Sequence, residues 1–148
     1  MPAHVSTEDP NIRHHRLEDA IEEVPLTGGG RTRVSRKGLV VLRETGPWAQ
    51  TVHAFLRHLE SSGFAGAPKV VGTGFDAEGR ETLTYVEGEF VHPGPWPEKA
   101  LPVLGRLLRE LHCASRTFPV PDGAVWRPWF GRNLGGPDYV IGHCDTGP

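Results

Sequence analysis

The sequence has no apolar run near the ~18 to 20 residues needed to cross a bilayer. Its first twenty residues, MPAHVSTEDPNIRHHRLEDA, lack the apolar stretch of a secretory signal. Cysteine is scarce: Cys113 and Cys144 are the only two, too few for a disulfide scaffold and suited to a reducing compartment. No C-x-x-C occurs. The pairs His112-Cys113 and His143-Cys144 are adjacent in sequence, and adjacent side chains diverge, so no metal site is expected. Charge of one sign is also missing. Sixteen basic residues face 18 acidic ones, a net charge of −2. With no basic stripe either, nucleic acid and anionic membranes are not expected partners. There is no internal repeat and no low-complexity tract. These absences leave a cytoplasmic globular chain as the expectation.

What is present is glycine, proline and a moderate apolar content. The 148 residues include 19 Gly, 14 Pro and six Phe, with 37% hydrophobic residues. That is one ordinary domain's length, loop-rich but able to bury a core. Residues 1–22 read as a disordered or loosely packed lead, with a short helix over Arg16–Glu23 as an option. Three short strands follow at Val24–Leu26, Arg33–Arg36 and Leu39–Arg43, separated by a glycine run and by the Lys37-Gly38 turn. Gly46-Pro47 opens a helix whose Trp48, Val52, Phe55, Leu56 and Leu59 recur at helical period, and Gly63 stops it. Strands at Lys69–Phe75 and Glu81–Glu87 flank the turn Asp76–Gly79. Prolines 93, 95 and 97 then break the chain. A second helix ends at Ala114, with Leu101, Leu104, Leu107, Leu108 and Leu111 on one face. Pro102 fits only its first turn. Residues 115–137 read as loop, and Tyr139–Gly142 as a last strand. The four tryptophans read as packing anchors. The fold class is α+β: a five-stranded antiparallel sheet with one helix, followed by an incomplete helical part.

Four features could carry chemistry. Gly28, Gly29 and Gly30, between two strands, either let backbone N–H groups approach a phosphate or form a plain hairpin loop. Arg43, ending the third strand, either meets phosphate or is a solvated strand end. Thr84-Tyr85-Val86-Glu87-Gly88 offers backbone groups to an adenine edge, or simply links two lobes. His143-Cys144-Asp145 either places a carboxylate on a rigid loop to accept a hydroxyl proton, or is a loop Asp beside a histidine.

In this order the features resemble the aminoglycoside phosphotransferase and choline kinase-like family of small-molecule kinases. The text "LRETGPWAQTVHAFLRHLESSGFAGAPKVVG" resembles its third strand and following helix in an actinobacterial-type branch. "ETLTYVEGE" resembles its hinge, "LGRLLRELH" the helix before its catalytic loop, and "VIGHCDTGP" the start of its H-G-D-x-x-x-x-N loop. The resemblance implies a kinase-like N-lobe at 23–89 and the start of a C-lobe at 90–148. It implies an ATP-dependent transfer of the γ-phosphate to the hydroxyl of an unknown small-molecule acceptor. Gly28–Gly30 and Ser35 would cover the phosphates, and Arg43 would stand at the position of the family's phosphate-binding lysine. The Thr84 carbonyl and Val86 amide would read adenine, His143 would brace the loop, and Asp145 would be the base. ATP and Mg²⁺ would be the cofactors.

Several positions depart from that family. Cys144 replaces a glycine and Arg43 a lysine. The helix after the third strand offers no glutamate facing Arg43, its nearest polar side chains being His53 and Glu60. The family's Mg²⁺-binding Asn and Asp fall beyond Pro148, so the chain is expected to be truncated inside the catalytic loop and catalytically incomplete. The leucine face of the second helix is expected to lack partners and to invite self-association. The alternatives to an enzyme are a non-catalytic nucleotide-binding or interaction module and a truncated gene remnant.

Overall fold

A computed structural model of the protein describes residues 21–26, 32–89, 94–128 and 141. The elements run β1 (Glu23–Pro25), β2 (Val34–Lys37), β3 (Val40–Arg43), α1 (Ala49–Ser61), β4 (Val70–Phe75), β5 (Glu81–Thr84), a 3₁₀ turn (Glu98–Ala100) and α2 (Leu101–Ser115). The five strands form one sheet in the order β1-β2-β3-β5-β4, with every neighbouring pair antiparallel. The expected α+β class, five-stranded antiparallel sheet and intervening helix are all found.

Boundaries differ in detail. The fifth strand ends at Thr84, not Glu87; Tyr85 still donates its N–H to the Leu39 carbonyl in register with β3, and the chain leaves the ladder after it. The β2–β3 turn falls on Gly38 and Leu39, where Gly38 takes a φ of +61°. Ile21 and Glu22 are not helical and Glu23 opens β1, so a helix reaching Glu23 is not formed. Pro102 sits in the first turn of α2, as its missing N–H requires. The glycine run 28–30, the strand at 139–142 apart from Ile141, and His143 and Asp145 lie outside the described residues.

One face of the sheet is covered by α1. A second layer packs on the far side of that helix. Phe55, Leu59 and Phe118 form its buried centre, with Phe64, Leu111, Trp126 and Ile141 around them. Phe55 meets Phe118 edge-on at 5.1 Å, a favoured aromatic geometry. Two hydrogen bonds fix the layer: His58 Nε2 with the Ala114 carbonyl at 2.9 Å, and the Val125 N–H to Thr51 Oγ1 at 2.9 Å. Because α1 is gripped from both sides, its buried positions are Ala49, Thr51, His53, Phe55 and Leu59. Apolar period alone picked out Val52 and Leu56, which are half-buried, and passed over Thr51 and His53.

The leucine face of α2 is only partly used. Leu111 joins the core, while Leu101 is 52% exposed and Leu107 37% exposed. Ser115 is the helix's only buried residue.

Candidate functional site

Arg43 and Glu81 are opposite one another in the β3–β5 register, although 38 residues apart in sequence. Directly opposed residues share a face, and here it is the face that α1 covers. Arg43 donates through Nε to Glu81 Oε2 at 2.6 Å and through a terminal nitrogen to the same oxygen at 2.5 Å. The other carboxylate oxygen, Oε1, lies 2.9 Å from Nε2 of His53 on α1. An ionised carboxylate can only accept, so Nε2 carries the proton of this bond. Glu81 and His53 are fully buried, at 0% and 1% exposure, while the Arg43 side chain is 41% exposed. The imidazole packs on Phe75 with ring centroids 4.8 Å apart.

Gly74 makes that approach possible. A Cβ built there would lie 2.5 Å from His53 Nδ1, and the φ of Gly74 is +97°. Both the space and the conformation demand glycine. Gly72 and Gly74 both take positive φ where β4 slips register against β5 between Val70 and Phe75. The irregular strand is thus the surface that receives the His53 ring.

The neighbouring residue, Arg80, serves the other end of the β4–β5 turn. Its guanidinium grips Glu23 of β1 with two bonds, at 2.7 and 3.2 Å, and also Asp76 at 2.7 Å and Glu78 at 2.9 Å. Ser35 Oγ adds a bond to Glu23 at 2.5 Å. Hydrogen bonding from Arg80, then from Ser35, holds the Glu23 carboxyl below its usual 4.5. Burial pushes the Asp76 carboxyl upward. The Arg80 backbone and side-chain donors outweigh that and hold it below its usual 3.8. The same bonds, to Glu23 first and Asp76 second, raise the Arg80 guanidinium. This clasp ties the edge strand β1 to the β4–β5 turn. Beside it an open groove of about 960 Å³ runs past Pro25, Ser35 and Leu42.

Of the residues expected to contact phosphate, the two that are described, Ser35 and Arg43, are not brought together. Ser35 is paired with Leu42, and Arg43 with Val34, so Ser35 and Arg43 lie on opposite faces of the sheet. The Arg43 donors are engaged by Glu81, not by a glutamate of α1. The carboxylate that the sequence seemed to lack comes instead from β5. Thr84 Oγ1 accepts the Lys69 N–H at 2.9 Å, and Val86 is 65% exposed beyond the strand end. Arg36 stacks 3.8 Å over the Tyr85 ring between them. No cluster of three or more His, Cys, Asp or Glu that could hold a metal occurs among the described residues.

Glu81, Arg80, Glu23 and Asp76 were not singled out from sequence. The available signal was indirect: an arginine ending one strand and a glutamate starting another, which matter together only once the β3–β5 register is known.

No family model matches the chain. No solved structure matches it. Among curated proteins it is 65% identical over 127 residues to the trifolitoxin immunity protein of Rhizobium leguminosarum bv. trifolii. The alignment covers 86% of this chain and 49% of that protein, so the chain spans about half the length of its relative. This corrects the expectation of an aminoglycoside phosphotransferase-like kinase. The resemblance rested on four short motifs, none specific alone, and two of their key residues lie outside the described structure. Identity sustained over 127 residues outweighs them, and the relative is named for immunity, not for phosphate transfer.

Proposed function

We propose that this chain is part of an immunity protein, which protects the cell that makes it from a toxin by binding. The observation that carries the proposal is the 65% identity to the trifolitoxin immunity protein over most of the chain. The described polar clusters agree with a binding role. Arg43 and Arg80 are already engaged by the protein's own carboxylates, which suits a scaffold that presents a surface. ATP and Mg²⁺ entered only through the kinase resemblance, and the immunity reading calls for neither. We also place the protein in the cytoplasm, on the strength of its sparse cysteines.

As a reading of topology alone, residues 23–89 form a lobe with the strand order of a kinase-like N-lobe, and residues 90–148 begin a second, helical part. Support comes from the β1-β2-β3-β5-β4 order with α1 between β3 and β4. No phosphotransfer follows from it.

The test is expression of the chain in a trifolitoxin-sensitive strain, followed by challenge with the toxin. Growth under challenge is the expected result. Sensitivity equal to that of the empty-vector strain, with the chain shown to be folded and abundant, would overturn the proposal.

A further inference from the structure

We propose that Arg43, Glu81 and His53 form a charge-exchange switch that couples the solvent edge of β3 to the seating of α1. The three groups differ sharply in exposure. Glu81 and His53 are sealed from water, while Arg43 stands at the boundary with 41% of its side chain exposed. Arg43 supplies one positive charge against the one negative charge of Glu81. The pair is balanced with no charge on the imidazole, which needs only to donate its Nε2 proton.

Arg43 is the one member that can leave. Its side chain can swing into water at little cost in hydration. Glu81 cannot follow, because it is opposed in register on a central strand and closed over by α1. A carboxylate left buried without its cation is strongly unfavourable. The only other basic group bonded to it is His53. The groups packed on that ring are Glu81 from β5 and the uncharged Phe75 and Gly74 from β4. A proton from water therefore adds to Nδ1, and the imidazolium replaces Arg43 as counterion. That nitrogen lies close against Gly74, where a Cβ would be 2.5 Å from Nδ1, and the whole residue is 1% exposed, so the new charge forms against the β4 backbone. Relief comes from movement of α1 away from β4. The state of Arg43 at the surface is thus converted into the charge of a buried residue on α1 and the fit of that helix.

The experiment is heteronuclear NMR of the imidazole in the full chain, with amide hydrogen exchange, on Arg43→Gln and Arg43→Lys. Arg43→Gln is expected to convert His53 from one ring N–H to two at neutral pH. It should also speed exchange of the α1 amides by about tenfold or more relative to β2 and β3. Arg43→Lys, which keeps the charge, should leave His53 with one ring proton. A His53 that keeps a single ring proton in Arg43→Gln would overturn the switch, since Glu81 would then have taken the proton itself. Should Arg43→Gln fail to fold, the double variant Arg43→Gln/Glu81→Gln decides. Recovery of the fold there supports the orphaned carboxylate as the cause, and no recovery overturns it.

Discussion

Arg80 and Glu81 are adjacent in sequence and lead opposite electrostatic lives. Arg80 faces outward and gathers three carboxylates around one guanidinium, in partly exposed surroundings. Glu81 faces inward and shares one carboxylate between Arg43 and His53, sealed from water. The contrast teaches that the number of ion pairs says little about their importance. Exposed pairs exchange water for a partner at nearly equal free energy, whereas a buried charge has no alternative to its partners. The clasp on Arg80 should therefore tune the edge of the sheet, and the Glu81 cluster should decide whether α1 sits on it.

The sharpest way to break this comparison is Arg43→Gln. It removes the more exposed member of the buried pair, yet it should cost the most, about 3 kcal/mol in thermal unfolding, because Glu81 then keeps a counterion only by charging the buried His53 and loosening α1. Gly74→Ala should follow at about 2 kcal/mol, since a positive φ is imposed on a residue with a Cβ and that Cβ meets the His53 ring. Glu81→Gln should cost less, about 1 to 2 kcal/mol, although Glu81 is the more buried partner. Arg43 can then turn to water, and the amide still accepts from His53. If Glu81→Gln proved more damaging than Arg43→Gln, the assignment of which charge is trapped would be wrong. Arg80→Gln should have the smallest effect at neutral pH, and one that shrinks further in high salt.

Acid sharpens the same contrast. Glu23 and Asp76 have folded-state values below their ordinary 4.5 and 3.8. Their contribution is complete above the ordinary carboxylate range and is lost as pH falls through the lowered folded values. An acid titration watched at the β1 amides should show β1 loosening only below that range. In Arg80→Gln the loosening should depend on pH more weakly, since only the Ser35 bond to Glu23 and the backbone bonds to Asp76 remain. A β1 that opens with the same acid profile in both proteins would remove the clasp from the account.

Much of the lobe was legible from local pattern. The turns at Gly38 and Asp76–Gly79, the stop at Gly63 and the place of Pro102 each follow from backbone chemistry within a few residues. Strand pairing as a class followed from short connections. What was not legible was long-range. The partner of Arg43 depends on a register that joins β3 to β5 across α1 and β4. The close packing of His53 depends on Gly74, in a stretch of β4 that slips register against β5. Apolar periodicity could not register either, because it treats histidine and threonine as surface residues. The leucine face of α2, expected to lack partners, is exposed only in part: Leu101 is half exposed, while Leu111 joins the core and Leu107 lies against Gly66. The kinase reading failed differently. Motifs spaced as in a family were taken as a family, while Ser35 and Arg43, supposed to share phosphates, stand on opposite faces of the sheet.

The central proposal is that this chain is part of a protein that confers immunity by binding a toxin. Calorimetric titration of the folded chain with purified trifolitoxin, followed by mass analysis of the recovered toxin, tests it most directly. The account predicts saturable binding and toxin of unchanged mass. Recovery of a chemically altered toxin, or no heat of binding at any concentration that kills sensitive cells, would contradict it.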